Sequence, residues 1–264
     1  TPFFKNKKPS PYDEAVSLTW FLENVFYNSI SNIYKYIRAN VFDGNEFNTD
    51  IINLGFWPGG DRDGNPFVTT EITLKVAVKL RSDIIKNYYR DIRLLRRRLT
   101  FKNIESIIID LESRLYSSIS NFNDEPQISL KELKKQLYNV RKILIFEHKS
   151  LFLDQLDDVI NKVNIFGYHF ASLDIRQDSR IHNKVFESVF KKAQQMHITD
   201  FKKDYSKLSE IEKIKILSNL KGDIPQDSFD EGLVLSTLSS IRAMKLIQKS
   251  NITNLKRPLV ASDE

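Results

Sequence analysis

Two short stretches of this sequence hold the residue types best suited to gripping an anion. The first is NLGFWPGGDRDGNPFVTTEIT, residues 53–73, which carries four of the chain's eight glycines within ten positions: Gly55, Gly59, Gly60 and Gly64. Asp61, Arg62 and Asp63 alternate in charge among them, with Pro58 and Pro66 on either side. A guanidinium here would contact the anion, its aspartate neighbours would orient it, and Trp57 would wall the site. The second is YHFASLDIRQDSRIH, residues 168–182, in which Asp174 and Arg176 stand two residues apart. If that segment is extended, both share one face, and an arginine at a strand end is well placed for bidentate contact with phosphate.

Each stretch also has a plainer reading. Gly59-Gly60 and Asp63-Gly64-Asn65-Pro66 are strong turn chemistry, so the first can be a tight crossover whose aspartates cap the following helix. Asp174 and Arg176 can be an ordinary ion pair closing the end of a strand. The glycine loop is not a nucleotide-binding P-loop, since no Gly-Lys-Ser/Thr follows.

Most elements that must position these residues read as helices. Ser10-Pro11-Tyr12-Asp13 is a capping sequence, and Leu18, Leu22, Val25, Ile30, Ile33 and Ile37 follow at spacings of about three to four on one face. Thr69 or Thr70 caps a long helix with the stripe Val76, Leu80, Ile84, Tyr88, Ile92, Leu95, Leu99. Capping boxes at Ser129/Glu132, Ser209/Glu212 and Ser228/Glu231 start helices over about 130–147, 210–220 and 229–249. Residues 104–119 and 151–164 read as helical too. Two segments differ: 51–57 and 168–176 are β-branched or aromatic and short, each leading through a loop into a helix. In the second, alternation places Phe170, Ser172, Asp174 and Arg176 on one face, and Ala171, Leu173 and Ile175 on the other. Two lone strands leave open edges, so they pair with each other or with partners outside the chain, and self-association follows from the second case. The fold class is mainly α: a helical bundle with two short β-strands. The inter-helix loops 121–126 and 221–225 are too short to be domain linkers.

Composition excludes several classes. Hydrophobic residues make up 41% and charged residues 28% of the 264, as in ordinary globular domains. No apolar run reaches membrane-spanning length. Without cysteine there is no disulfide framework or thiolate metal site, which fits a reducing cytosol. The net charge of +6 is mild and mixed. Five arginines lie between Arg90 and Arg98, but Ile92, Leu95 and Leu99 continue the apolar stripe through them, so they occupy the wet face of a helix. No nucleic-acid motif accompanies them. A helical module that docks an acidic partner through this basic helix is the rival reading. The four histidines, His148, His169, His182 and His197, show no metal spacing; His182 comes nearest to the second stretch.

The two unusual segments carry a resemblance. FWPGGDRDGNPFVT (56–69) closely resembles the W-M-G-G-D-R-D-G-N-P-x-V-T motif of the phosphoenolpyruvate carboxylase family, and SLDIRQDSRIH (172–182) resembles its L-D-I-R-Q-E-S-x-x-H segment. KKPSPYDEA (7–15) is similar to its R-P-T-P-x-D-E-A stretch, in the same order. The resemblance implies a piece of a large, mainly helical (β/α)-barrel enzyme, cytoplasmic and homotetrameric. Such an enzyme adds bicarbonate to phosphoenolpyruvate with Mg²⁺ or Mn²⁺, giving oxaloacetate and phosphate. It implies that Arg176 holds the substrate phosphate, that Trp57 lines the bicarbonate side, and that Arg62 reaches substrate from the mouth loop. Gly59, Gly60, Asp61, Asp63, Gly64 and Asn65 shape that loop, with Asp174 supporting the second strand end. Pro58 departs from the family's methionine and stiffens the loop without removing a charge.

The family's T-A-H-P-T segment, its G-Y-S-D-S-x-K-D-G-G segment, its metal-binding acids and its V-G-R-G-G loop have no counterpart among these residues. Together with the start at Thr1-Pro2-Phe3, the resemblance implies that 1–264 is a single internal fragment without separate domains. Such a fragment would contain no catalytic histidine segment, bind no metal, and be inactive alone. A relative turned regulatory, keeping these motifs and losing catalysis, is the remaining alternative.

Overall fold

The computed structural model describes residues 8–45, 47, 51–63, 65–120, 126–199, 201, 203–219, 221–222, 224–225, 228–229 and 232–249. Gly64, the linker 121–125 and Glu231 of the third expected capping box lie outside the described residues.

The N-terminal helix starts where the sequence requires. Ser10 accepts from the Asp13 backbone N–H at 3.2 Å, and the Asp13 carboxylate accepts from that of Ser10 at 2.9 Å. Helix α1 (Pro11–Phe21) runs through one π-helical turn, Leu22–Phe26, into α2 (Tyr27–Asn40). The wide turn changes which residues are buried. Ala15 and Thr19 face inward before it, Leu22 at its start, and Tyr27, Ile30, Ser31 and Tyr34 after it. Val25 and Ile33, expected on the inner face, are therefore exposed (43% and 50%), because the bulge adds a residue to the regular repeat.

Helix α3 (Thr70–Arg96) is the centre of the molecule. Thr69 caps it, accepting from the Ile72 N–H, and every member of the expected stripe from Val76 to Leu99 is at most 3% exposed. α4 (Glu105–Ser120) and α6 (Leu153–Phe166) pack on it, with α5 (Leu130–Glu147) against α6; after α7 (Ser179–Gln195) and α8 (Glu210–Asn219), α9 (Leu233–Lys249) returns to α3. Ser209 and Glu212 complete their reciprocal cap. At Ser129 the forward bond from Glu132 N–H forms, while the Glu132 carboxylate accepts from Gln136 instead.

The two strands pair with each other. β1 (Gly55–Phe56) and β2 (Ser172–Leu173) run parallel, with Gly55 opposite Ser172 and Phe56 opposite Leu173. Both are shorter than the extended segments expected from sequence. Phe170 is the reason on the second side: it takes a left-handed backbone (φ 61°) and turns its ring into the core against Phe166 and Tyr27. The expected alternation therefore fails at Phe170 but holds beyond it, with Leu173 and Ile175 inward and Asp174 and Arg176 outward. The buried Tyr88 hydroxyl donates to the Gly167 carbonyl at 2.6 Å, tying α3 to the approach of β2.

One charged knot joins α2, α3 and α6. The Lys162 ammonium, 5% exposed, lies 3.1 Å from each of Asn28 Oδ1, Asp91 Oδ2 and Asp158 Oδ2, and 4.5 Å from the centre of the Tyr27 ring. Tyr27 donates to Asp91, and Ser31 and Lys35 both bind Asp158. Burial pushes the Asp158 carboxyl up, but hydrogen bonds from Lys35, Ser31 and Lys162 outweigh it, so its pKa lies below the ordinary value. A carboxylate depressed in the fold contributes stability that is complete above its unfolded pKa and is lost as pH falls through the folded one. Lys162→Met should cost about 3–5 kcal/mol in urea unfolding at neutral pH, since it leaves two partly buried carboxylates short of a partner. It should also make the loss of stability on acidification shallower. A cost under about 1 kcal/mol would show that the knot is not a support of the fold.

Candidate functional site

The carboxyl ends of the two strands meet. Beyond the β1–β2 pair, Arg176 N–H donates to the Gly60 carbonyl at 3.1 Å and Arg62 N–H donates to the Arg176 carbonyl at 3.0 Å. Asp61 and Arg176 thus form a further parallel bridge. The two stretches singled out in the sequence, over a hundred residues apart, are held together by backbone hydrogen bonds.

The loop that follows β1 is packed rather than loose. Trp57 C=O accepts from Gly60 N–H at 2.9 Å, with Pro58 and Gly59 between and Gly59 at φ 80°. This matches a type II turn, which favours proline at its second position and needs glycine at its third. Pro58 is therefore suited to the backbone it occupies. A side chain on Gly59 would meet Val76 Cγ2 at 2.5 Å, and one on Gly60 would meet the Asp174 carbonyl oxygen at 2.0 Å. The Thr73 hydroxyl, from the first turn of α3, donates to the Gly59 carbonyl at 2.7 Å. These glycines serve close approach of backbone to helix and to the neighbouring strand.

Within the loop, Asp61 Oδ1 accepts from the Asp63 N–H and Asn65 Oδ1 from the Phe67 N–H, two local turns closed by side chains. Neither aspartate caps α3, because Thr69 does. Arg62 is half-buried, and burial lowers its pKa. Its guanidinium donates to Ser236 Oγ at 2.8 Å and to the Ser236 carbonyl at 3.4 Å, fastening α9 to the loop, while Thr70 and Ser240 join their hydroxyls at 2.9 Å. Asp61 and Asp63 make no ion pair with it. This tie to Ser236, 174 residues away, had no signal in the sequence beyond the serines of α9.

Arg176 and Trp57 face outward. Trp57 is 51% exposed, and the Arg176 side chain has no hydrogen bond or ion pair with any described residue. The ion pair with Asp174 that alternation permits is not formed. Asp178 caps α7 by accepting from the Arg180 N–H at 2.7 Å, and it is also held by the Arg180 guanidinium, with Nη2 to Oδ2 at 2.6 Å and Nε to both oxygens. The charge of Asp63, from the other loop, acts on Arg180 as well. His182 is half-buried in the first turns of α7; burial lowers its pKa and Asp178 opposes this. Among the described residues, no three His, Asp or Glu side chains come close enough to hold a metal ion.

Of the five arginines from Arg90 to Arg98, at the end of α3 and just beyond it, three make ion-pair or ring contacts. Arg90 pairs with Glu23 at 3.5 Å, Arg96 with Glu112 at 2.7 Å, and Arg98 lies 5.9 Å above the Phe152 ring. No described helix is long and apolar enough to cross a membrane.

The mainly helical body carries two parallel strands, each leading through a loop into a helix, with an outward arginine and tryptophan at their carboxyl ends. The chain belongs to the phosphoenolpyruvate carboxylase family, whose pattern matches residues 1–129 and 111–253. It is similar to the phosphoenolpyruvate carboxylase of Shewanella sediminis (strain HAW-EB3), 26% identical over 216 residues, covering 69% of this chain and 24% of that protein. The enzyme of Shewanella loihica (strain ATCC BAA-1088 / PV-4) is 27% identical over 213 residues, with the same coverage. The chain thus spans about a quarter of the length of these relatives.

The turn geometry carries its own test. Gly60→Ala places a methyl group against a backbone oxygen, so it should destabilise the chain by about 2 kcal/mol or more in urea unfolding. An unchanged midpoint would mean that the strand tips are not clasped as described.

Proposed function

We propose that the strand tips form the phosphate- and bicarbonate-facing wall of a phosphoenolpyruvate carboxylase site, within a longer polypeptide that supplies the remainder. The carrying observation is that Arg176, in the family's L-D-I-R segment, extends from the strand end without a side-chain partner among the described residues. Its Asp61 bridge brings it to the loop that bears Trp57. In this reading Arg176 binds the phosphate of phosphoenolpyruvate with charge-assisted hydrogen bonds. Trp57 walls the bicarbonate side and limits water. Arg62, committed to Ser236, holds the mouth loop against α9 rather than making the first contact with substrate.

The reaction implied is attack of a bicarbonate oxygen on the phosphorus. The bond from phosphorus to the enol oxygen breaks, leaving carboxyphosphate and the enolate. Carboxyphosphate then yields CO₂ and phosphate, and the enolate carbon bonds to CO₂ to give oxaloacetate. A fixed cation on the transferring phosphoryl group stabilises charge that develops there. Divalent metal and the acids that bind it belong to the remainder of the polypeptide. The rival reading, docking of an acidic partner on α3, is disfavoured by the internal pairing of Arg90 and Arg96.

In the full-length protein, Arg176→Ala should lower kcat/KM for phosphoenolpyruvate by about 100-fold or more, the order lost with a charge-assisted phosphate contact. A loss below about fivefold in coupled assays of oxaloacetate formation would remove Arg176 from the site.

A further inference from the structure

Among the described residues the Arg176 side chain has no partner, although carboxylates flank it in sequence on both sides, Asp174 two residues before and Asp178 two residues after. Asp178 is needed where it is. It caps α7, and aspartate is among the preferred capping residues whereas glutamate, which the family's Q-E-S pattern places here, is not. The Asp178 carboxylate carries a full negative charge two residues from Arg176, and left uncompensated it would compete for that guanidinium and repel an anionic ligand. Arg180 occupies a position that the family pattern leaves variable. Its guanidinium takes both oxygens of Asp178 in a fork, Nε to Oδ1 and Oδ2 at 3.1 and 3.0 Å and Nη2 to Oδ2 at 2.6 Å. The hydrogen bonds and charge of Arg180 hold the Asp178 carboxyl below the usual carboxylate range.

We infer that Arg180 is a positioning residue that neutralises the helix-capping Asp178 and so leaves Arg176 available to an incoming phosphorylated anion. The inference rests on the proposed role of Arg176. It treats Asp178 and Arg180 as one unit: an aspartate that starts the helix, and an arginine that cancels the charge this cap would otherwise turn on the substrate. Arg180 itself does not touch substrate in this scheme. It acts through Asp178 on Arg176, and substitution should therefore change KM rather than kcat.

The test is a rescue experiment in the full-length protein, reading kcat and KM for phosphoenolpyruvate. Arg180→Gln leaves the cap intact, because the cap's donor is the backbone N–H of residue 180. It should raise KM about fivefold, the effect of one uncompensated surface charge, with kcat unchanged. The double variant Asp178→Asn/Arg180→Gln keeps a capping side chain and removes the stranded charge, so KM should return to within about twofold of the parent. Arg176→Ala is run alongside. If it costs about 100-fold but Arg180→Gln behaves as the parent, the inference is overturned and the proposed function stands. If Arg180→Gln raises KM and the double variant does not recover, Arg180 contacts substrate directly and the inference is again overturned. If Arg176→Ala is nearly silent, the proposed function falls, and the inference with it.

Discussion

Everything at the candidate site depends on the parallel pairing of two very short strands. Two paired residues on each side would be marginal in isolation. Here they are extended by the reciprocal bonds between Gly60, Arg62 and Arg176, and backed by α3, whose Thr73 and Val76 touch the same loop. The pairing is parallel, so both carboxyl ends point the same way, and each is followed by a helix. Trp57, Arg62 and Arg176 come to one place because of that geometry.

Much of the fold was legible in the sequence because the signals were local. The α3 stripe from Val76 to Leu99, the Ser10 and Ser209 caps and the limits of α5 all follow from nearest-neighbour chemistry. The errors came where tertiary packing overruled a local period. The π turn at Leu22–Phe26 rotates the inner face and exposes Val25 and Ile33. The left-handed Phe170 shortens β2 because three aromatic rings gain more by meeting in the core than the strand gains by extending. The knot around Lys162 had no visible precursor, since its members lie on three helices and Lys162, Asp91 and Asp158 each look like an ordinary surface charge.

The site was legible in part. The glycines read as turn chemistry, and Gly59 and Gly60 are also there because Val76 and the Asp174 carbonyl leave no room for a side chain. Pro58, which departs from the family pattern, fits the turn it occupies. The aspartates close turns inside the loop instead of capping α3, and Arg62 is fastened to α9. Arg176 and Trp57 face outward, alongside Asp174. That division of labour, in which most charges hold the scaffold and one arginine is left over, could not be read from spacing alone.

The most direct measurement is a crystal structure of the full-length protein grown with phosphoenolpyruvate. The account expects a phosphate oxygen within about 3 Å of an Arg176 guanidinium nitrogen, on the side of the strand tips that carries Trp57. Phosphate density elsewhere, with Arg176 bare or folded onto Asp174, would contradict it.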